Sequence, residues 1–140
     1  MGEFLFQRRV RWEDCDSAQI IYYANYFKYL EQAEEEMFRA SPWSYKDLKA
    51  KYNATISKLE SECRYRSPAV YDDLLEVHSA YSDLDGSRFT NHFQIKRGGE
   101  TLASGYVKCV CRRRDGTLGD EVPLPPEMEQ IIRRHLRSAS

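Results

Sequence analysis

Two carboxylates flank a cysteine in the stretch WEDCDSAQIIYYANYF, residues 12–27, and a helical pattern begins only a few residues later. Asp14 and Asp16 belong to a polar, small-residue loop, and the residues after it place a helix start near Tyr23. A helix start carries main-chain N–H groups without intrahelical partners, at the positive end of the helix dipole. A carboxylate beside such donors is half of a hydrolytic site: the donors polarise a carbonyl, while the acid activates water or attacks directly. The same spacing also suits plain capping, with Asp14 or Asp16 closing a turn. Cys15 is a poor nucleophile, because Asp14 and Asp16 repel its thiolate and no histidine is nearby in sequence.

These residues need a scaffold. Apolar residues alternate from Phe4 to Trp12, which reads as a first strand. Tyr26, Tyr29, Leu30, Ala33, Met37 and Phe38 then recur at spacings of three and four, an amphipathic helix with Lys28, Glu31, Glu34, Glu35 and Arg39 on its wet side. Ser41 and Pro42 end it, and Ser44 or Ser41 caps a shorter helix through Tyr45, Leu48 and Tyr52. Extended segments follow at 54–65, 73–82, 88–96 and 101–113, with turns at Ser67–Pro68, Asp85–Gly86 and Gly98–Gly99. They read as consecutive hairpins in an antiparallel meander. After Asp115 and Gly116, a proline cluster leads into a terminal helix over 127–136, with Pro126 at its first turn. The class is α+β in one domain, residues 1–140, with a sheet edge and face that a second copy would cover.

Composition removes several functions. With 21 Lys and Arg against 22 Asp and Glu, nothing provides the basic footprint of a nucleic-acid partner, and the Arg112–Arg114 run reads as a strand-end decoration. No apolar run is long enough for a membrane span or a signal peptide, so a cytoplasmic location is expected. Cys15, Cys63, Cys109 and Cys111 have no zinc spacing, and no metal is expected; Cys109 and Cys111 share one strand face as small core residues. Ten tyrosines are the unusual feature, four of them between Ile21 and Leu30. Tyr26 and Tyr29 fit the buried stripe, whereas Tyr22 and Tyr23 sit at a mouth and could line a pocket.

Asp14, Cys15, Asp16, Ile20, Ile21, Tyr23, Asn25, Tyr26 and Phe27 together resemble the signature of the 4-hydroxybenzoyl-CoA thioesterase branch of the hotdog-fold superfamily, which includes the Tol–Pal-associated acyl-CoA thioesterases. Ser67, Pro68, Tyr71, Asp72 and Asp73 resemble that family's turn between its second and third strands. The resemblance implies a hotdog fold, a five-stranded antiparallel sheet wrapped on a long central helix with a C-terminal helix. It implies an acyl-CoA thioesterase needing no cofactor, coenzyme A being part of the substrate, and working as a homodimer or homotetramer. Asp16 then matches the catalytic carboxylate and the Tyr23 N–H the group that polarises the thioester carbonyl. Tyr22 and Asn25 line the substrate site, and Arg88, with Arg64 and Arg66 behind it, is the first candidate for the coenzyme phosphates. Ser17, Gln19 and Ala24 depart from the Pro and Gly pattern of the hydroxybenzoyl-specific members, which leaves the acyl group open, as it leaves CoA against carrier-protein thioesters. A non-catalytic acyl-thioester or ligand-binding hotdog module is the alternative. A dehydratase is disfavoured because residues 25–39 contain no histidine.

Overall fold

The computed structural model describes residues 2–41, 43–114 and 118–138; the Pro42 helix stop and the Asp115–Gly116 turn lie outside the described residues. Strand β1 (Phe4–Arg9) is shorter than its alternation suggests, because Trp12–Asp14 coil into a single 3₁₀ turn that leaves Trp12 on the surface. Helix α1 runs Asn25–Arg39 and α2 Tyr45–Tyr52. The latter opens on a capping box between Ser44 and Asp47, which satisfies main-chain donors at both positions. Then come β2 (Ala54–Tyr65), β3 (Leu74–Asp85), β4 (Arg88–Arg97), β5 (Glu100–Arg114), β6 (Leu118–Glu121) and α3 (Pro126–Arg133).

The sheet is antiparallel, and its order β1-β3-β4-β5-β2 corrects the expected meander. Of the three expected hairpins, β3–β4 and β4–β5 form, turned at Gly86 and Gly98, whose φ values of 60° and 61° suit glycine. The β2–β3 connection, residues 66–73, is too long for a tight turn and carries the chain across to the other side of the sheet. β2 therefore pairs with β5, and β1 with β3. There is also a sixth strand that the sequence reading missed: β5 outruns β4, and β6 pairs with the overhang through Arg112 and Glu121.

Helix α1 lies across one sheet face. Tyr26, Tyr29, Leu30, Ala33, Met37 and Phe38 are all buried, and Phe27 meets Phe93 of β4 edge-on at 5.8 Å. The same face of β3 and β4 contributes Val77, Tyr81, Phe93 and Ile95. Cys109 and Cys111 are buried free thiols on one face of β5, as their spacing predicts. Glu34 contradicts its assignment to the wet side. It is buried because it follows Leu30 by four residues and precedes Met37 by three, which puts it on the apolar stripe.

Gly105 is required by packing. A Cβ there would overlap the main-chain oxygen of Glu62, so β5 and β2 could not keep their present approach. Gly105→Ala is expected to destabilise the fold by about 2 kcal/mol and to lower Tm by roughly 6 °C, read by thermal denaturation.

Candidate active site

The loop between β1 and α1 is organised by Asp14. Its carboxylate is buried and accepts hydrogen bonds from the Tyr29 hydroxyl at 2.6 Å and the Arg11 N–H at 2.9 Å, with the Arg8 guanidinium at 3.3 Å. Burial by itself would raise its pKa, but the Tyr29 and Arg11 donors and the Arg8 charge outweigh that and lower it. Its main-chain oxygen accepts from the Asn25 side-chain amide at 2.8 Å and the Tyr22 N–H at 2.9 Å. Asp14 thus ties β1, the loop and the start of α1 into one unit.

From this anchor the chain makes a small hairpin. Cys15 bridges Ile21, the Asp16 N–H bonds to the Ile20 oxygen at 2.9 Å, and Gln19 turns back with φ 65°. The far side is pinned to the 66–73 connection by the Ile21 N–H on the Ala69 oxygen and by an Ile20–Val70 bridge. Asp16 stands exposed on this hairpin. Its Oδ1 accepts the Ala18 N–H at 2.8 Å, an Asx turn that orients the carboxylate, and Oδ2 has no protein donor among the described residues.

The helix start is two residues later than expected. Residues 22–25 form a tight i→i−3 turn, with the Asn25 N–H on the Tyr22 oxygen at 2.9 Å, so Tyr23 and Ala24 precede α1 rather than belong to it. Among the described residues, neither the Tyr23 nor the Ala24 N–H has a protein acceptor. Both donors sit at the positive end of α1, close in sequence to the Asp16 hairpin.

Tyr22 and Tyr23 are 46% and 61% exposed, whereas Tyr26 and Tyr29 are buried on the stripe expected of them. The Tyr22 phenol pKa is raised, first by its contact with Tyr23 and also by burial and the Asp16 charge. Tyr65, at the end of β2, escaped sequence reading, although its place between Arg64 and Arg66 at a strand end was a signal. Its ring packs on Tyr26 and Tyr23 at 5.3 and 6.3 Å, and burial first, then Cys63, pushes its hydroxyl up to about 12.

The proposed binding residues separate. Asn25 is half-buried with its amide engaged on the Asp14 oxygen. Arg88 is not brought to the site. It pairs across the sheet with Val110, while Tyr65 pairs with Ala103, which places the two about 23 Å apart along β5. Its guanidinium grips Glu121 through two contacts at 2.9 and 3.0 Å. Arg64 and Arg66 flank Tyr65 and line, with Arg137, an open polar groove of about 710 Å³ on the sheet face opposite α1. Arg64 is 74% exposed, with a carboxylate, Glu62, only at 3.6 Å.

A helix laid across an antiparallel sheet in this strand order is the architecture of a hotdog thioesterase. Residues 10–132 match the thioesterase-like superfamily, and the chain belongs to it as a thioester hydrolase. The acyl-CoA thioester hydrolase YbgC of Escherichia coli is 30% identical over 110 residues, 76% of this chain and 81% of that protein. Among solved structures, a hypothetical protein from Aquifex aeolicus superposes with a TM-score of 0.83 at 26% identity, covering 92% of this chain and 98% of that one. A 1,4-dihydroxy-2-naphthoyl-CoA thioesterase from Synechocystis shares the fold with a TM-score of 0.85 at 20% identity, over 94% and 96% of the two chains.

Proposed function

We propose that the chain hydrolyses acyl-CoA thioesters to the free acid and coenzyme A, with Asp16 as the catalytic carboxylate and the main-chain N–H of Tyr23 as the oxyanion donor. The observation that carries this reading is an exposed, Asx-turn-oriented carboxylate a few residues before N–H groups at the start of α1 that have no protein acceptor among the described residues. A thioester carbonyl has little resonance stabilisation, so one main-chain donor at a helix start and one carboxylate make a sufficient set, without cofactor or serine triad. Asp16 either deprotonates water, whose attack expels the coenzyme A thiolate, or attacks the carbonyl carbon itself, breaking the C–S bond and releasing that thiolate, to form an anhydride that water then opens. Tyr22 and Tyr23 flank the mouth, and Asn25 acts by holding the loop rather than by touching the substrate. The name of the Escherichia coli relative supports an acyl-CoA substrate. The outer edge of β2 carries no strand among the described residues, and a second copy laid there would continue the sheet and hide an edge open to aggregation.

The coenzyme's phosphates fall to Arg64 and Arg66, the basic groups beside the Tyr65 mouth, rather than to Arg88. The test is thiol release from a panel of acyl-CoA esters and from the same acyl groups on N-acetylcysteamine, which lacks the nucleotide. Wild type turns over both, and the Arg64→Ala/Arg66→Ala double variant raises KM for the CoA esters roughly tenfold while leaving the short thioesters unchanged. Equal losses on both overturn the phosphate assignment. Binding without turnover of any ester would make the chain a ligand-binding module instead.

A further inference from the structure

The Asp16 hairpin is held on two sides. Asp14 fixes its base, and the 66–73 connection fixes its outer limb through the Ile21 N–H on the Ala69 oxygen at 2.9 Å and the Ile20–Val70 bridge. That connection does not hold its own shape. Residues 66–73 form no helix or strand, and Asp72 stands in left-handed backbone with φ 76°, which costs a non-glycine residue free energy and persists only where neighbours impose it. The two ends of the connection are tied by main-chain bonds. At its start the Arg66 and Ser67 N–H groups donate to the Leu102 oxygen of β5 at 2.8 and 3.3 Å. At its end the Asp72 N–H donates to the Val10 oxygen at 2.9 Å, the Val10 N–H to the Asp73 oxygen at 2.8 Å, and Arg9 Nη1 to the Asp72 oxygen at 2.6 Å.

The middle of the connection, which carries Ala69 and Val70, is held by an ion pair. Asp73 Oδ2 accepts the Val70 N–H at 2.9 Å and Arg97 Nη1 at 2.8 Å. The same Nη1 approaches the Pro68 oxygen at 3.4 Å, and Nη2 donates to Glu100 Oε1 at 2.9 Å. Arg97 closes β4 and Glu100 opens β5, so the guanidinium is seated on the Gly98–Gly99 turn and reaches the connection from there. This use needs arginine, whose planar fork points donors in two fixed directions, where a lysine ammonium would offer one compact charge. A continuous set of contacts therefore runs from the β4–β5 turn through Arg97, Asp73 and Val70 to Ile20, whose oxygen accepts the Asp16 N–H.

We infer that Asp73 and Arg97 are a positioning pair for the hydrolysis: they hold the connection against the Asp16 hairpin and so set where its carboxylate stands relative to the Tyr23 N–H. Both act through Asp16 and not on the substrate. The inference rests on the reading of Asp16 as the catalytic carboxylate. Tyr22 and Tyr23 are held instead by Asp14 and the Asn25 turn, so the mouth does not depend on the pair. Loss of the pair therefore lowers turnover and leaves substrate affinity in place, because a reacting group displaced by about 1 Å costs up to about a hundredfold in rate.

Steady-state kinetics in two backgrounds test this. Asp73→Ala is expected to lower kcat for the best acyl-CoA substrate roughly thirtyfold, with KM within about threefold of wild type. Arg97→Gln, at the other end of the pair, gives a loss of roughly tenfold in kcat, and Arg97→Lys recovers part of it by keeping the charge. In the Asp16→Asn background Asp73→Ala leaves the residual rate unchanged, because the group it positions is gone. Amide hydrogen exchange gives a second readout: in Asp73→Ala the Asp16 and Ile21 amides exchange roughly tenfold faster, while those of β4 keep their wild-type rates. An unchanged kcat in both Asp73→Ala and Arg97→Gln, or a loss of the same size in the Asp16→Asn background, overturns the inference. Should Asp73→Ala fail to fold, Arg97→Gln carries the same comparisons. If Asp16→Asn itself hydrolyses as wild type does, the catalytic reading fails separately and exchange decides the role of the pair. Faster exchange confined to the hairpin amides then supports it, and unchanged exchange, or an acceleration shared with β4, overturns it.

Discussion

Replacing Asp14 with alanine is expected to lower the folding free energy by about 3 kcal/mol, measured by urea denaturation, because it strips a buried ion pair of one partner. The Arg8 side chain, 13% exposed, the Tyr29 hydroxyl and the Arg11 N–H would all lose their acceptor together. Asp14→Asn retains an acceptor of the same shape and should lose less. The pH dependence follows from the direction of the shift. Asp14 titrates lower in the folded chain than in the unfolded one, so its contribution is complete above the ordinary carboxylate pKa of about 4 and fades as pH falls through the depressed folded value. Wild type and Asp14→Ala should therefore differ by a constant amount near neutrality and converge in acid. Activity should fall as well in any Asp14 variant that still folds, since the hairpin bearing Asp16 hangs from this residue. A variant of unchanged stability at pH 7 would remove Asp14 from its anchoring role.

The two carboxylates show how much of the site was legible. Their position before a helix start suited both a hydrolytic site and plain capping, and only the family resemblance singled out Asp16 for chemistry. Spacing alone could not say which aspartate faced inward, because both lie in the same loop within two residues. The distinction depends on Arg8 and Tyr29, partners brought in from a strand and from the second turn of α1. Strand positions were legible because their alternation and turn residues are local. Strand order was not, since the pairing of β2 with β5 is set by where the 66–73 connection leads. The place of Arg88 was not legible for the same reason: only the register with β5 shows its distance from Tyr65. Glu34 was mistaken for a solvated residue because it is charged, although its wheel position alongside Leu30 and Met37 already marked it as buried.

Acyl-CoA hydrolysis by Asp16→Asn tests the central claim most directly. Asparagine keeps an oxygen that can accept the Ala18 N–H, so the hairpin persists, and the exposed position makes no packing demand. The substitution therefore removes the charge and the basicity while leaving the loop, the Asp14 anchor and the Tyr23 N–H in place. With wild-type circular dichroism and Tm as the check on folding, kcat/KM for the best acyl-CoA substrate is expected to fall by about three orders of magnitude, the middle of the range for losing a positioned acid or base. Tyr23→Phe should stay near wild type in the same assay, because the group used at that position is the main-chain N–H. An Asp16→Asn protein that folds normally and hydrolyses the substrate within tenfold of wild type would contradict the account.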